Sequence, residues 1–229
     1  MAKRSLMARS SLMARGLSAS TPMTGDLHEG PPLVAFDFDG TLTVRDSFTA
    51  FLKWRVSPAR HFAGMVRLFP AAIGYVFDRN RGKIKAAAVR EFLRGVPLEQ
   101  LEREARAFAQ SEAPKLFRPD ALAVWRRWRA KGAKLVIVTA SPDVVVAPFA
   151  RGLGADLLIG SRLALDLNDR IAGPLLGPNC RGAEKVVRLK EVFGDDLSLA
   201  AAYGDTSGDR EMLAIAHEKG YRIFRGKPG

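Results

Sequence analysis

Residues 33–43, LVAFDFDGTLT, constrain the chain more than any other stretch. Positions 33–37 carry the apolar and aromatic bulk of a buried strand, and Gly40 breaks it, so Asp37 and Asp39 sit at and just past a strand end. Residues two apart on an extended strand point the same way, which crowds two acids into one small space. Their charges repel, and desolvation adds to the cost. A bound divalent cation relieves both, and hard oxygen ligands are what Mg²⁺ selects. Gly40 and Thr41 add backbone N–H groups and a hydroxyl, which suit a phosphate. An acidic surface turn is the plain alternative, because Asp and Gly are ordinary turn residues. The apolar strand ahead of the acids favours a site.

The totals narrow the setting. A chain of 229 residues, 47% hydrophobic and 26% charged, can bury a real core in one large or two small domains. The lone Cys180 excludes an internal disulfide, and His28, His61 and His217 have no zinc-ligand spacing. A net charge of +12 points to anionic partners: phosphate substrates, nucleic acid or an anionic membrane surface. Residues 1–32 read as a tail, disordered up to about Gly30, with SLMARS nearly repeated as SLMARG. Its composition is similar to a transit peptide but lacks the apolar core of a secretory signal. A start at Met13 or Met23 is equally compatible with it.

Past the opening strand, a helix is expected over 46–53, capped by Asp46 or Ser47. Residues 62–77 (FAGMVRLFPAAIGYVF) are apolar except for Arg67, are shorter than the roughly 20 residues that span a bilayer, and carry Pro70 and Gly74 as expected kinks. Between positions 51 and 94 ten Lys and Arg face only Asp78 and Glu91. That pattern fits an interfacial helix on anionic lipid or, equally, a core helix with a solvated basic rim. Helices are expected over 83–93, 97–110 and 119–131, the last with Trp125 and Trp128 on one core face.

From Lys134 the period changes. A strand over 135–138 leads to Thr139, Ala140, Ser141 and Pro142, where a Ser-capped helix would offer N–H groups to an anion. Strands are expected over 157–159, 163–167, 199–203 and 221–224, with a helix opening at residues 182–185 and stopping at Gly194. Alternating strands and helices imply a mainly parallel α/β sheet, and ligands in such sheets bind at the carboxyl ends of the strands. The polar clusters fall at those ends.

Asp37, Asp39, Thr139, Lys185, Asp205 and Asp209, in this order, resemble the haloacid dehalogenase superfamily of phosphohydrolases. The resemblance covers residue 33 to the C-terminus. It implies a three-layer Rossmann-like core over 33–44 and 118–229, and a helical cap over 45–117 that selects substrate. It also implies Asp37 as the nucleophile that becomes an aspartyl-phosphate, and Asp39 as the acid and then the base. By the same resemblance Thr139 and Lys185 hold the phosphoryl group. Asp37, the Asp39 backbone carbonyl and Asp205 hold Mg²⁺, with Asp209 as a ligand or supporting acid. Gly40, Thr41, Asp46, Ala140 and Ser141 are the remaining candidates for contact with substrate.

Within the superfamily the chain is similar to the phosphoserine-phosphatase-like branch. That phosphatase usually has Glu where this chain has Asp46, Ser-Gly-Gly where it has Thr139-Ala140-Ser141, and Asn where it has Gly208. The basic, apolar cap and the segments NCRGAEKVVRL (179–189) and YRIFRG (221–226) look more like the phosphatidylglycerophosphatase C group. The resemblance therefore implies an anionic lipid phosphate as substrate, a cytoplasmic protein peripheral on the inner membrane face, and no specific nucleic acid. A soluble phosphatase for a small metabolite such as phosphoserine is the enzymatic alternative. A non-catalytic basic module binding nucleic acid or membrane is the alternative of another class.

Overall fold

A computed structural model describes residues 30–78 and 81–229. The expected tail falls outside the described residues apart from its last three. The opening strand β1 (Leu33–Phe36) lies at the centre of a six-stranded sheet, between β2 (Lys134–Pro142) and β5 (Leu199–Gly204). Leu33 pairs with Lys134 and Phe36 with Ile137 on one side, and Phe36 pairs with Tyr203 on the other, all in parallel. Outside these lie β3 (Leu157–Leu165) and β6 (Ala216–Tyr221), again parallel. β4 (Ile171–Leu176) runs antiparallel along β3, giving the order β4-β3-β2-β1-β5-β6. The chain steps to opposite sides of β1, so β1 and β5 form a topological switch point, where open α/β sheets bind ligands.

Alternation along the strands splits the core in two. Val34, Phe36, Leu135, Ile137, Ala201 and Tyr203 face one layer, with α5 (Pro119–Ala130) and α6 (Asp143–Gly152). Ala35, Val136, Val138 and Ala202 face the other, with α7 (Ala183–Phe193) and α8 (Arg210–Ala214). Trp125 and Trp128 are buried core residues, as their spacing predicts. Phe36 lies between Trp125 and Tyr203, tilted against the first at 5.0 Å and stacked on the second at 4.6 Å between centroids.

Between β1 and α5 the chain runs through α1 (Ser47–Arg55), α2 (Pro58–Asp78), α3 (Arg81–Leu93) and α4 (Leu98–Leu116). Asp46 caps α1, its Oδ1 accepting from Thr49 N–H at 2.7 Å. α2 is one helix that includes both Pro70 and Gly74, and α4 runs on through Pro114 beyond its expected end. A chain of rings ties this helical segment to the sheet layer: Phe51 to Phe108 at 5.4 Å, Phe108 to Phe149 at 5.7 Å, and Phe149 to Phe38 at 5.5 Å. No helix among the described residues is long and apolar enough to cross a membrane.

Four expectations are corrected. β2 runs on to Pro142, which pairs with Ser161, so α6 begins at Asp143 and Ser141 caps nothing. The two strands expected over 157–167 are one, because Gly160 does not break β3. A Cβ there would lie 2.9 Å from Asp143 Cα, so the glycine permits a close backbone approach instead. β4 was not anticipated. The last strand is Ala216–Tyr221, not 221–224: an edge strand held by backbone pairing to β5 needs little apolar character, and His217, Glu218 and Lys219 face solvent.

Candidate active site

The sheet delivers three acids to one place. Asp37 follows β1, and its N–H donates to Tyr203 O at 2.8 Å. Asp205 follows β5, and Asp209 lies four residues on, in the short turn Ser207–Asp209. Lys185 enters from the first turn of α7, which starts after Gly182 at φ +64°. Its ammonium, 1% exposed, donates to Asp37 Oδ1 (2.6 Å), Asp209 Oδ1 (2.7 Å) and Val138 O (2.6 Å). All three of its protons are used.

Asp209 Oδ2 accepts from the N–H groups of Asp205 (3.2 Å) and Thr206 (2.9 Å) and from the Thr206 hydroxyl (3.0 Å). Burial acts to raise the Asp209 carboxyl, but Lys185 and these donors outweigh it and hold it below its ordinary value. Asp37 goes the other way. Burial pushes it up to about 8 despite Lys185, with the charges of Asp209 and Asp39 adding to the rise. Asp205 is raised as well, by burial and then by Asp209. On Lys185, burial acts downward, yet Asp37 and Asp209 more than reverse it, so the lysine stays charged. One ammonium thus serves two carboxylates, with a third acid close by.

This surplus of negative charge is the test for a cation, and the residues pass it. Asp37, Asp205 and Asp209 each offer one carboxylate oxygen, all within 4.8 Å of one another. Oxygen-only donors of this kind suit a hard divalent ion such as Mg²⁺. Gly40 completes the geometry. It stands at φ +82°, and a Cβ there would meet Asp205 Oδ2 at 2.2 Å. Thr41 is buried, its hydroxyl directed to Asp37 Oδ2 (3.3 Å) and Asp205 Oδ1 (3.4 Å).

Asp39 turns away from the triad. Its Oδ1 accepts from Ser47 N–H at 2.6 Å, the first N–H of α1. Its Oδ2 accepts from the Ser141 hydroxyl at 2.5 Å and the Thr139 hydroxyl at 3.4 Å. Burial, and then Asp46, push the Asp39 carboxyl up, while Lys85 and the two serines act against that rise. Ser141, expected as a helix cap, therefore holds Asp39, and Thr139 is buried behind it.

A cavity of about 430 Å³ opens above these groups. Asp37, Asp39, Asp46, Ala140, Lys185 and Asp209 line its polar end; among the expected site residues, Gly40, Thr41, Thr139, Ser141 and Asp205 lie behind that wall. The wall from the helices is mainly apolar, with Phe48 and Leu52 from α1, Met65 and Leu68 from α2, and Ile84, Ala88 and Phe92 from α3, interrupted by Thr49, His61 and Lys85. Six polar wall residues escaped the sequence reading of the site: Thr49, His61, Lys85, Asn179, Arg181 and Thr206. Arg181 donates to the hydroxyls of Thr206 (3.1 Å) and Ser207 (3.0 Å). Lys85 reaches from α3 to Ala140 O at 2.5 Å, and burial lowers its ammonium against the pull of Asp46, Asp39 and Asp37. The signal for Lys85 was present: it shares a helical face with Ala88, Val89 and Phe92, an odd place for a solvated cation.

Comparison with known proteins places these features in a family. Protein CicA of Caulobacter vibrioides is 71% identical over 222 residues, spanning 97% of this chain and 100% of that one. A solved structure from Bordetella pertussis Tohama I, of unknown function, superposes with a TM-score of 0.66 at 24% identity, covering 80% of this chain and 86% of that one. A substrate-bound phosphoserine phosphatase complex gives 0.58 at 19% identity, covering 84% and 86%. At these identities the two structures speak to fold alone. The family model for haloacid dehalogenase-like hydrolases matches residues 34–214, from β1 through α8, and the chain belongs to that family.

Proposed function

We propose that the protein is a Mg²⁺-dependent phosphomonoester hydrolase working through an aspartyl-phosphate on Asp37, with an anionic lipid phosphate such as phosphatidylglycerophosphate as substrate. The observation that carries the reading is the two-ended cavity, with clustered acids and Lys185 at one end and a mainly apolar wall from three helices at the other. A phosphate on an apolar body fits both ends. Asp37, Asp205 and the Asp39 carbonyl would hold Mg²⁺, with Asp209 beside them, and the bound ion supplies charge neutralisation for the phosphate.

In the first step Asp37 attacks phosphorus and the bond to the leaving alkoxide breaks, while Asp39, whose carboxyl is pushed up by burial, passes a proton to that oxygen. In the second, water attacks the same phosphorus, Asp39 takes its proton, and inorganic phosphate leaves with Asp37 restored. Lys185 offsets charge throughout, as phosphoryl transfer requires more of positioning and neutralisation than of covalent chemistry. The segment 45–117 acts as the cap over this site, and Asp46 and Lys85 are its polar contacts with substrate.

The fold likeness to phosphoserine phosphatase favours a second reading, hydrolysis of a small soluble phosphomonoester. Phosphate release with Mg²⁺ from phosphatidylglycerophosphate in mixed micelles and from free phosphoserine separates the two. Release from the lipid, abolished by EDTA and by Asp37→Asn, is the expected result. Turnover of phosphoserine alone overturns the lipid substrate, and activity persisting in Asp37→Asn overturns the mechanism.

A further inference from the structure

α2 is clamped to α3 along one side. Arg60 and Arg67 both donate to Glu91 Oε1, at 2.7 and 3.0 Å, and the Arg60 guanidinium lies 5.0 Å from the Phe92 ring centroid. Elsewhere on its surface the helix presents Phe62, Met65, Val66, Phe69 and Ile73, whose spacing puts all five on one stripe. Every one is exposed, Phe62 by 72% and Phe69 by 64%. Scattered exposed apolar residues are ordinary, but five in register on one helix mark an interaction surface.

Charge identifies the occupant. Positions 51–94 hold ten Lys and Arg against two acids, a net of eight positive charges out of the whole chain's twelve. Lys53, Arg67, Arg90 and Arg94 from this stretch are exposed. A second copy of the chain docked on the stripe would bring like charges together, whereas an anionic bilayer meets both the apolar and the basic parts. The helix is not apolar enough to cross. We infer that α2 lies along the surface of an anionic membrane, its stripe sunk to the acyl boundary and the basic residues around it on the headgroups.

This deepens the lipid-phosphate reading, and rests on it for the route of the substrate. Met65 belongs to the exposed stripe and also to the cavity wall. The apolar end of the cavity therefore borders the docked face, and a lipid reaches the acids without its acyl chains passing through water.

The test is sedimentation of the full-length chain with vesicles of phosphatidylglycerol and phosphatidylcholine in equal parts, or of phosphatidylcholine alone. The comparison is the double variant Phe62→Ser/Phe69→Ser, neither residue lining the cavity. Binding to the anionic vesicles only, weakening with added salt and falling about tenfold in the variant, is expected. Hydrolysis of p-nitrophenyl phosphate without vesicles should be the same in both proteins, which reports an intact fold. Equal binding by the variant, or binding to neither vesicle, overturns the proposal. So does a lipid-free self-association that the variant abolishes, since a second copy would then be the occupant. Vesicle binding without lipid-phosphate hydrolysis leaves the docking in place and removes the substrate instead.

Discussion

Asp37 sits in a contradiction that only a further positive charge resolves. Lys185 divides its protons among Asp37, Asp209 and Val138 O, and burial still pushes the Asp37 carboxyl up to about 8. A folded carboxyl raised in this way loses stability relative to the unfolded chain as pH rises above its ordinary 3.8, and the loss is complete above about 8. A cation relieves that penalty in competition with the proton. Mg²⁺ at about a hundred times its dissociation constant should therefore stabilise the fold by about 2.7 kcal/mol, or about 5–10 °C in Tm. At one fixed Mg²⁺ concentration the increment should be larger at pH 8 than at pH 6 and absent in Asp205→Asn, and thermal melts with Mg²⁺ or EDTA would read it. These acids were legible because Asp37 and Asp205 are spelled locally, at the ends of apolar runs, with Asp209 four residues past the second. The partners of Asp39 were not, since Ser141 and Ser47 meet it only once β2 and α1 are in place.

At the scale of elements, the helical segment keeps its place through side chains from three separate helices. Phe108 of α4 packs edge-on against Phe51 of α1 and Phe149 of α6, and is 1% exposed. Phe108→Ala should cost about 3–5 kcal/mol, measured by denaturant unfolding, because the rings around it leave little room for collapse. The buried strands and amphipathic helices were readable for a simple reason: their periods are those of burial. β6 and β4 were not. An edge strand is fixed by its backbone ladder, and AHEKGY carries no alternation that betrays one. Pro142 misled in the opposite sense, since proline is so often a helix start, yet here it ends a strand.

Across the whole molecule, the cavity exists only where the sheet's carboxyl edge meets α1, α2 and α3. No single stretch of sequence contains it, and the apolar run in α2 read equally well as core or as membrane contact. If the apolar end receives the substrate's body, kcat/KM for a series of n-alkyl phosphates should rise about three- to fourfold per added methylene, then level off once the space is filled. A series that is flat in chain length would favour a small metabolite instead.

The bond from Ser47 N–H to Asp39 has a mechanical meaning as well as an electrostatic one. Asp39 is fastened to the first turn of the very helix that roofs the cavity, so α1 cannot lift from the sheet edge without breaking that contact. Access and reactivity then share one latch: while the roof is raised to admit or release a molecule, the acid has lost a donor that orients it. On the mechanism proposed above, stray water entering an open site would meet Asp37 without Asp39 in position to transfer a proton.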